Sequence, residues 1–518
     1  KMEKILKKLK KLLRLIFGRT TLGTLFLLIQ ILVLFAGFDW FREYLIYMYG
    51  GSAKLSALVL IYIISDEGNS TIKLSWVVPI LIFPVFGTLF YLFLTLQPGT
   101  RRINRRIEEV GTKLRPYLLQ DPEVLAHYES ISASGGNLVR YMNQYGRFPA
   151  YENTGVRYFP LGDDMFPVLL EELKKAEHFI FMEYFIVEHG VMWDAILQVL
   201  ETKVAEGVEV RFMYDGMGNL FTLPHGYEKA MQEKGIQCKI FAPVRPALSS
   251  YQNNRDHRKI CVIDGKVAFT GGVNLADEYI NKKVRFGHWK DTAIKIEGDA
   301  VQSFTMMFLQ MWNITERQPE DYAKYLTEKQ PGFSRKDGYI IPYGDSPFDH
   351  ENVGEEVYFH ILNHAKKYVH IMTPYLILDN EMIDALTRAA KGGIEVQIIM
   401  PHIPDKPYAF YLAKTYYEEL IAGGVEIYEY TPGFVHAKVF TSDDDTATVG
   451  SINLDYRSLY LHFECGVFIY RNPVVRDIEK DFQETLAKCQ KVTMTEVRNR
   501  STFVKIYGQV LRIVAPLM

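Results

Sequence analysis

One short pattern occurs twice in this chain, and it constrains the fold and the chemistry more than any other feature of the sequence. The pattern is H-x-K-x4-D, and its two copies consist of His257, Lys259 and Asp264, and of His436, Lys438 and Asp443. In each copy the histidine and the lysine lie two positions apart in an apolar, strand-like run, so both side chains project from one face of a strand. Such a repeat predicts two similar halves that contribute to one site.

The two copies stay in register beyond the motif, which argues against a chance match. After each aspartate come a pair of small residues and then an asparagine, namely Gly271-Gly272 and Asn274, and Gly450-Ser451 and Asn453. Upstream, residues 179–186 resemble residues 369–377, and residues 207–212 resemble residues 393–398. The latter segments each follow a helix-like stretch and open a strand, as in a βαβ unit. We therefore predict two α/β halves whose sheets pack together, with both motifs in one cleft.

Composition fits a large folded protein and excludes several classes of function. The chain has 518 residues and 48% hydrophobic content, which supports two or three domains with a large core. Its formal net charge of -2 argues against a dedicated nucleic-acid binder. Cys238, Cys261, Cys465 and Cys489 lack the spacing of a zinc site or a disulfide framework. The chain also lacks a glycine-rich nucleotide-binding motif, so no nucleotide is expected.

The first hundred residues have the pattern of a membrane anchor. Residues 1–19 are strongly basic with leucines on one helical face, which favours an amphipathic helix on an anionic bilayer over a solvated tail. Residues 20–38 and 74–97 carry no charge and are long enough to span a bilayer. The apolar segment 44–65 is interrupted by glycines and a lysine, which leaves an interfacial, a re-entrant and a third spanning helix open.

The distribution of basic residues predicts the topology. Both the basic N-terminus and the run at 101–106 favour the cytoplasmic side, which an even number of crossings satisfies. No cleaved signal peptide is expected. The predicted organisation has five parts. They are an amphipathic segment at 1–19, a membrane anchor at 20–100, a connector at 101–146, a first half at 147–330 and a second half at 331–518. Residues 503–518 place their apolar side chains on one face and predict a helix.

Six stretches of the sequence resemble one known family. NNRDHRKICVIDGKVAFTGGVNLADEY and YTPGFVHAKVFTSDDDTATVGSINLDYRS are similar to the paired signatures of bacterial cardiolipin synthases, in the phospholipase D superfamily. PAYENTGVRYFPLGDDMF, MEYFIV, FGHWKDTAIKIEG and MTPYLI also resemble that family. The resemblance implies two pseudo-symmetric phospholipase D-like halves with mixed β-sheets flanked by helices, after an N-terminal transmembrane region. It further implies a multi-pass protein of the bacterial plasma membrane with a cytoplasmic catalytic domain, acting on phosphatidylglycerol and anionic lipids.

The doubled motif supplies what exchange of a phosphodiester requires. The reaction needs a nucleophile for phosphorus, positive charge for the non-bridging oxygens and an acid for the departing alkoxide. One histidine would form a phosphohistidine while the other moves the proton, and Lys259 and Lys438 would bind the oxygens. The family resemblance favours His257 as the nucleophile and His436 as the acid and base. No metal or other cofactor is expected.

Five more residues complete the candidate site. Asn274, Asn453 and, less strongly, Ser451 are predicted to donate hydrogen bonds to substrate, with a turn as the alternative role for each asparagine. Asp291 and Glu464 resemble the downstream acids of the family and are predicted to fix the histidine tautomers. The sequence leaves open which acid serves which histidine.

Several nearby residues are predicted to be structural. Asp264 and Asp443 complete the candidate catalytic motif, but each ends a strand, where an acid often holds a turn. His288, His402 and His462 lie near the motifs and are also expected to be structural.

Together with the membrane-anchor pattern, the resemblance to cardiolipin synthases implies a membrane-bound transferase that joins two phosphatidylglycerol molecules and releases glycerol. A hydrolase with the same motif residues and an inactive lipid-binding scaffold are the alternatives. Oligomeric state, including a homo-oligomer, is left open.

Overall fold

The computed structural model describes residue 28 and residues 42–66, 69–95, 98–243, 253–316, 320–327, 338–349 and 351–517. The predicted amphipathic segment at 1–19, and all but one residue of the predicted span at 20–38, lie outside the described residues. The chain forms two compact units, one drawn from Lys1–Ile103, Val244–Asn253 and Arg512–Met518, the other from Asn104–Pro243 and Asn254–Leu511.

The described part of the first unit is mainly helical, with α1 (Arg42–Ser65), α2 (Ser70–Ile82) and α3 (Pro84–Thr95). Helix α1 runs without a break through Gly50 and Gly51. The apolar segment 44–65, for which the sequence left three arrangements open, is therefore one continuous helix. The helices share a small apolar core of Val59, Ile63, Ile80 and Tyr91. At one crossing, a side chain on Gly87 would lie 2.7 Å from the Ile80 Cα, so only glycine allows this close approach.

The uncharged segment at 74–97, predicted to span a bilayer, is not one continuous helix in its described part, 74–95. Helix α2 ends at Ile82, Phe83 leaves the helical conformation with φ -127° and ψ 73°, and α3 begins at Pro84. Proline lacks an N–H group and disfavours helical backbone at the preceding residue, so it ends a helix that hydropathy alone would continue. None of the helices in the described ranges is both long enough and apolar enough to cross a bilayer.

A helical connector leads from there into the first half. It comprises α4 (Pro98–Leu114), a 3₁₀ turn (Arg115–Tyr117), α5 (Pro122–Ile131), α6 (Ala133–Tyr141) and a π-helical turn (Met142–Gly146). The first half contains β1 (Thr154–Phe159), α7 (Gly162–Lys174), β2 (Phe179–Tyr184), α8 (Val191–Ala205), β3 (Glu209–Asp215), α9 (Tyr227–Glu233), β4 (Gln237–Phe241), β5 (Lys259–Ile263), β6 (Val267–Gly271), β7 (His288–Lys290), β8 (Ala293–Gly298) and α10 (Val301–Asn313), with 3₁₀ turns at Asp277–Ile280 and Tyr322–Tyr325.

The second half repeats the order of the main-sheet strands and of the helices between them. It contains β9 (Tyr339–Asp345), α11 (Val353–His364), β10 (Tyr368–Met372), α12 (Asn380–Lys391), β11 (Glu395–Pro401), α13 (Pro407–Ala422), β12 (Glu426–Tyr430), β13 (Gly433–Val435), β14 (Val439–Ser442), β15 (Thr446–Gly450), a π-helical turn (Arg457–Leu461), β16 (Glu464–Tyr470), α14 (Val474–Leu486), β17 (Cys489–Lys491), α15 (Met494–Arg498) and α16 (Thr502–Val514), with a 3₁₀ turn at Ala515–Leu517. The predicted C-terminal helix is therefore confirmed.

The two sheets have the same strand order, which confirms the predicted pair of α/β halves. The first sheet is ordered β1-β8-β6-β5-β2-β3-β4, and the second β9-β16-β15-β14-β10-β11-β12 with β17 added at the edge. Both are mixed, because β2, β3 and β4 pair in parallel, as do β10, β11 and β12, while the remaining pairs are antiparallel. The motif strands β5 and β14 occupy equivalent central places.

Two long helices join the halves. Helix α10 packs on β2, β5, β6 and β8 of its own sheet and also on β9 of the other. Helix α14 packs on β10, β12, β14 and β15 and also on β1. Because the central strands are covered on both faces, β2 and β5 are buried along their whole length and their sequences are almost continuously apolar.

Candidate active site

The motif lysines are positioned by the central strands of the sheets. Lys259 begins β5 and pairs with Tyr184 at the end of β2, while Lys438 directly precedes β14. Both lysines are almost completely buried, and His257 and His436 retain only a slight exposure. Each motif thus lies at the edge of its sheet where the parallel strands end, the usual place for a site in an α/β sheet.

The backbone of each motif histidine is held by the opposite half. The His257 N–H donates to the Phe463 carbonyl at 2.9 Å, and the Phe463 N–H donates to the Arg255 carbonyl at 2.8 Å. In the second copy, the His436 N–H donates to the Lys290 carbonyl at 2.7 Å, and β13 pairs in parallel with β7 just before it. These reciprocal links bring the two motifs into one site, as predicted.

The side chains of the histidines are also paired across the halves. His257 Nδ1 lies 2.9 and 3.0 Å from the two oxygens of Glu464, and His436 Nδ1 lies 2.7 Å from Asp291 Oδ2. Both acids are fully buried. The pairing that the sequence left open is therefore crossed, with each histidine bound to the acid of the other half.

These contacts determine the tautomers. A carboxylate only accepts hydrogen bonds, so Nδ1 of each ring carries the proton and Nε2 remains for chemistry. Lys438 Nζ lies 2.9 Å from His436 Nδ1. Since Nδ1 donates to Asp291, that lysine contact is electrostatic in this tautomer, and Lys438 donates instead to the His436 carbonyl.

Burial shifts the pKa values of all these groups towards their neutral forms. It lowers the pKa of Lys259 to about 8 and that of Lys438 to about 7. Burial and then the neighbouring lysines hold the pKa values of His257 and His436 well below the usual range. Both histidines are thus neutral at pH 7. An anionic phosphodiester would favour the charged ammonium groups, so the site is suited to such a ligand.

The acids respond to the same burial. The pKa of Asp291 is raised to about 6 and that of Glu464 to about 7, in each case mainly by loss of solvation. Ser451 donates a hydrogen bond to Glu464 and accepts one from the Cys465 N–H at 3.0 Å. Ser451 therefore contacts an acid of the site, which differs from the predicted donation to substrate.

The two candidate asparagines lie beside the site and bind its framework. Asn274 Oδ1 accepts from the Ile186 N–H at 3.0 Å, and its Nδ2 donates to the Tyr279 hydroxyl at 2.9 Å. Asn453 Nδ2 donates to the Ser458 hydroxyl at 3.0 Å. Their direct binding of substrate stays a prediction, while these bonds fix the loops after β6 and β15.

Asp264 and Asp443 lie at the far ends of the motif strands. Asp264 accepts hydrogen bonds from three consecutive backbone N–H groups, at 177–179, each at 2.8 Å. Asp443 does the same with those at 366–368, at 2.6 to 3.1 Å. At ~3.3 Å per strand residue, Asp264 is roughly 16 Å from Lys259. This geometry supports the structural role over membership of the catalytic set.

Comparison with known proteins agrees with this geometry. The family model described as "Cardiolipin synthase, PLD-like domain" matches residues 169–312 and 358–486, more than half of the chain. The chain belongs to the bacterial cardiolipin synthase family of the phospholipase D superfamily. By family it is a phosphatidyltransferase.

Relatives in this family align along most of their length. A cardiolipin synthase of Alkalihalophilus pseudofirmus is 32% identical over 88% of this chain and 91% of its own. Cardiolipin synthase 2 of Bacillus anthracis is 33% identical over 90% of each. An uncharacterized protein of Streptococcus mutans is 50% identical over 89% of this chain and 99% of its own.

Two further comparisons concern the fold and the N-terminal region. The crystal structure of phosphatidylserine synthase from Haemophilus influenzae has a TM-score of 0.55 at 15% identity, covering 74% of this chain and 98% of that one, and shares the fold. A second model, "Phospholipase_D-nuclease N-terminal", matches residues 55–94.

One further histidine lies close to the first histidine–acid pair of this cardiolipin synthase family site. The ring of His462, predicted to be structural, lies 5.6 Å from the ring of His257. Neither ring nitrogen of His462 has a hydrogen-bond partner among the described residues. With His257 and Glu464 it forms the one group in the described chain that could hold a metal ion, with ligand atoms within 4.8 Å. The positive charges of Lys259 and Lys406 oppose a dication there.

The other histidines near the motifs lie apart from the catalytic pairs. His288 Nδ1 is 3.1 Å from the Tyr430 hydroxyl, and His402 Nδ1 is 3.0 Å from Glu429. These contacts fit the structural role predicted for both. Lys406 was not singled out by the sequence because it lies outside the motifs, yet its charge contributes to the lowered pKa values of both motif histidines.

Proposed function

We propose that this chain transfers a phosphatidyl group from one phosphatidylglycerol to another, giving cardiolipin and glycerol. The observation that carries the proposal is the crossed pair of histidines, each with Nδ1 bound to a buried acid of the opposite half, beside two buried lysines. The names of the relatives, cardiolipin synthases, support the same substrate class.

The first step forms the covalent intermediate. His257 Nε2 attacks phosphorus, so an N–P bond forms as the P–O bond to the glycerol headgroup breaks. His436, protonated in the complex and stabilised by Asp291, gives its Nε2 proton to the departing oxygen, and glycerol leaves. Lys259 and Lys438 hold the non-bridging oxygens, with Asn274 and Asn453 as candidate neutral donors.

The second step reverses the proton movement. The terminal hydroxyl of a second phosphatidylglycerol gives its proton to His436 Nε2, its oxygen attacks phosphorus and the N–P bond breaks. Cardiolipin is released with His257 neutral again. Because one phosphodiester replaces another, the exchange needs no ATP.

We also propose that residues 1–100 attach the protein to the bacterial plasma membrane, with residues 101–146 as connector and the halves at 147–330 and 331–518 on the cytoplasmic side. The charge-free stretches at 20–38 and 74–97 support this attachment, as does the N-terminal family match at 55–94. Labelling of single introduced cysteines with a membrane-impermeant thiol reagent, in intact cells and in lysed cells, tests the sidedness.

The decisive experiment reconstitutes the full chain in liposomes of phosphatidylglycerol without added metal or nucleotide and identifies the products by mass spectrometry. We expect cardiolipin and glycerol from the wild type and from His402→Ala, a matched control outside the histidine pairs, and neither from His257→Ala or His436→Ala. Phosphatidic acid without cardiolipin would instead identify a hydrolase. No product from any of the four would favour a lipid-binding scaffold.

A further inference from the structure

Each half carries exposed apolar side chains just after the same strand of its sheet. Lip one consists of Met217, Leu220 and Phe221 in the loop after β3. Lip two consists of Ile403 in the loop after β11 and of Tyr408 and Tyr411 at the start of α13; all six are exposed. The strand registers make the loops equivalent: Val210 pairs with Ile180, Val396 with Val369, and each lip begins seven residues later. Exposed apolar side chains thus cluster after the same strand in both halves, which is not the scatter expected of ordinary surface residues.

Lip one is attached to the first motif. Asn219, within the same loop, donates from Nδ2 to the Phe185 carbonyl at 2.7 Å. The Phe185 ring packs edge-on against His257, with the ring centroids 4.8 Å apart. Phe221 nevertheless points outward, with 94% of its surface exposed. The loop that carries the exposed Phe221 is therefore linked to the candidate nucleophile through Asn219 and Phe185.

Lip two is attached to the second motif in a comparable way. The Ile403 N–H donates to the carbonyl of Gly433, which begins the short strand leading to His436. In the same loop Lys406 Nζ lies 3.1 Å from the Tyr375 hydroxyl, and its charge acts on both motif histidines. The two lips therefore border the same site, one from each half.

The apolar surface continues from lip two onto the last helix. Tyr411 meets Tyr507 of α16, with ring centroids 6.1 Å apart. Phe503, Ile506, Tyr507 and Val510 follow the i, i+3, i+4, i+7 spacing on the exposed face of this helix, while Gly508 packs against Thr415 on the other. Two exposed lysines belong to the same segments: Lys406 directly precedes α13, and Lys505 lies in α16.

We propose that the two lips and the exposed face of α16 dock on an anionic lipid bilayer, so that the site opens directly onto the membrane surface. This inference rests on the proposed function, because a lipid donor keeps its acyl chains in the bilayer and only its headgroup has to reach His257. Phenylalanine, tyrosine and aliphatic side chains with lysines among them suit the interface, where rings enter the headgroup layer and lysines meet anionic lipids. A bilayer also keeps bulk water away from a phosphohistidine, which favours transfer over hydrolysis.

The test measures insertion directly and needs no turnover. An environment-sensitive nitrobenzoxadiazole label is attached to Phe221→Cys or Tyr408→Cys in full-length Cys489→Ser protein, since the three other native cysteines are buried. The matched control is Leu326→Cys, because Leu326 is 38% exposed and Tyr408 is 42% exposed. Leu326 lies next to Thr327, whose hydroxyl donates to the Gly265 carbonyl at the opposite end of the motif strand. The protein is reconstituted in vesicles of equal parts phosphatidylglycerol and phosphatidylcholine, some containing lipids with nitroxide-labelled acyl chains.

We expect the labels at 221 and 408 to shift to the blue and to be quenched by the nitroxide lipids, while the label at 326 stays in water. Labels at 221 and 408 that remain aqueous would overturn the proposal. A shift that appears in detergent without lipid and grows with protein concentration would assign the surface to a second copy of the chain and would also overturn it.

A second arm links the surface to catalysis. For Leu220→Ser/Phe221→Ser we expect the ratio of the rate on long-chain phosphatidylglycerol vesicles to the rate on monomeric dihexanoyl phosphatidylglycerol to fall about tenfold, because only the vesicle reaction requires docking. Leu326→Ser should leave the ratio unchanged. Because label depth is read without product formation, a wild type that makes no cardiolipin would refute the proposed function while leaving the insertion result intact.

Discussion

The pair of His257 with Glu464 and the pair of His436 with Asp291 have the same contact at Nδ1 but different surroundings. Ser451 donates a hydrogen bond to Glu464, whereas the residue of the first half that is equivalent to Ser451 is Gly272. A side chain on Gly272 would lie 2.1 Å from Asp291 Oδ1, so no serine fits there. The two halves therefore share their framework and differ in how the buried acid is hydrogen-bonded.

This difference does not by itself divide the roles of the histidines. Burial raises the pKa of Asp291 to about 6 and that of Glu464 to about 7, while the Ser451 bond favours the ionised form of Glu464. An ionised carboxylate stabilises an imidazolium on the ring that it contacts, so either acid can support a proton on its histidine. The choice of His257 as nucleophile and of His436 as acid and base rests on the family resemblance and stays a prediction that substitutions can separate.

The largest expected effect is on the rates of the two histidine variants, which should respond differently to the leaving group of the substrate. With a p-nitrophenyl phosphodiester, whose leaving group needs no proton, His436→Ala should still form the covalent intermediate, whereas His257→Ala should not. On phosphatidylglycerol we expect both variants to lose about 10³-fold or more in rate. Rapid quenching and mass spectrometry of the peptides that carry positions 257 and 436 measure the intermediate. Labelling of His257→Ala but not His436→Ala would exchange the two roles.

Variants of the two acids should show the same dependence on the leaving group, with a smaller loss of rate. Asp291→Asn and Glu464→Gln keep the shape of each side chain but remove the charge that holds the tautomer, so we expect each to lower kcat by about 10²- to 10³-fold on phosphatidylglycerol. With the p-nitrophenyl substrate, the loss should largely disappear for Asp291→Asn and persist for Glu464→Gln. Equal losses on both substrates would contradict a division of labour.

The pH dependence tests the same groups without mutation. Below about pH 6 to 7, protonation of Asp291 and Glu464 removes the carboxylates that hold the rings, and the rate should fall. Above about pH 7 to 8, Lys438 and Lys259 lose their protons, and binding of the phosphodiester should weaken. A bell-shaped profile of kcat/KM with its maximum near pH 7 is the expected result. A profile that rises steadily to pH 10 would show that the lysines need not be charged.

Ser451→Gly makes the second half resemble the first and should have a modest effect. The hydroxyl bond favours the ionised form of Glu464, so its loss raises that pKa and moves the acid limb of the profile to higher pH. We expect kcat/KM at pH 7 to fall about two- to fivefold while the basic limb stays in place. A shift of the basic limb instead would mean that Ser451 acts on the lysines or on substrate.

Asp264→Asn and Asp443→Asn should have the smallest effect on activity and act on stability. Asparagine tolerates the left-handed backbone of both positions, where φ is 52° and 54°. It lacks the negative charge with which aspartate binds three backbone N–H groups. We expect each to reduce the free energy of unfolding by about 1 to 3 kcal/mol, more for the better buried Asp264, with kcat nearly unchanged. Thermal unfolding in detergent measures this, and a large loss of kcat in a fully folded variant would return these residues to the catalytic set.

Local patterns in the sequence determined the motifs, the two α/β halves and the C-terminal helix, because strand alternation, helical spacing and an internal repeat involve residues near one another in the chain. The helix break before Pro84 is equally local, but it follows from the missing N–H of proline, which hydropathy does not register.

The tertiary structure decided how the site is assembled. His257 and Glu464 are 207 residues apart in the chain, and His436 and Asp291 are 145 apart. The environment of His462 and the position of Lys406 likewise depend on which loops meet at the sheet edges. Contacts at such separations follow from the packing of one sheet on the other, and no local pattern specifies the partner that packing brings to a given side chain.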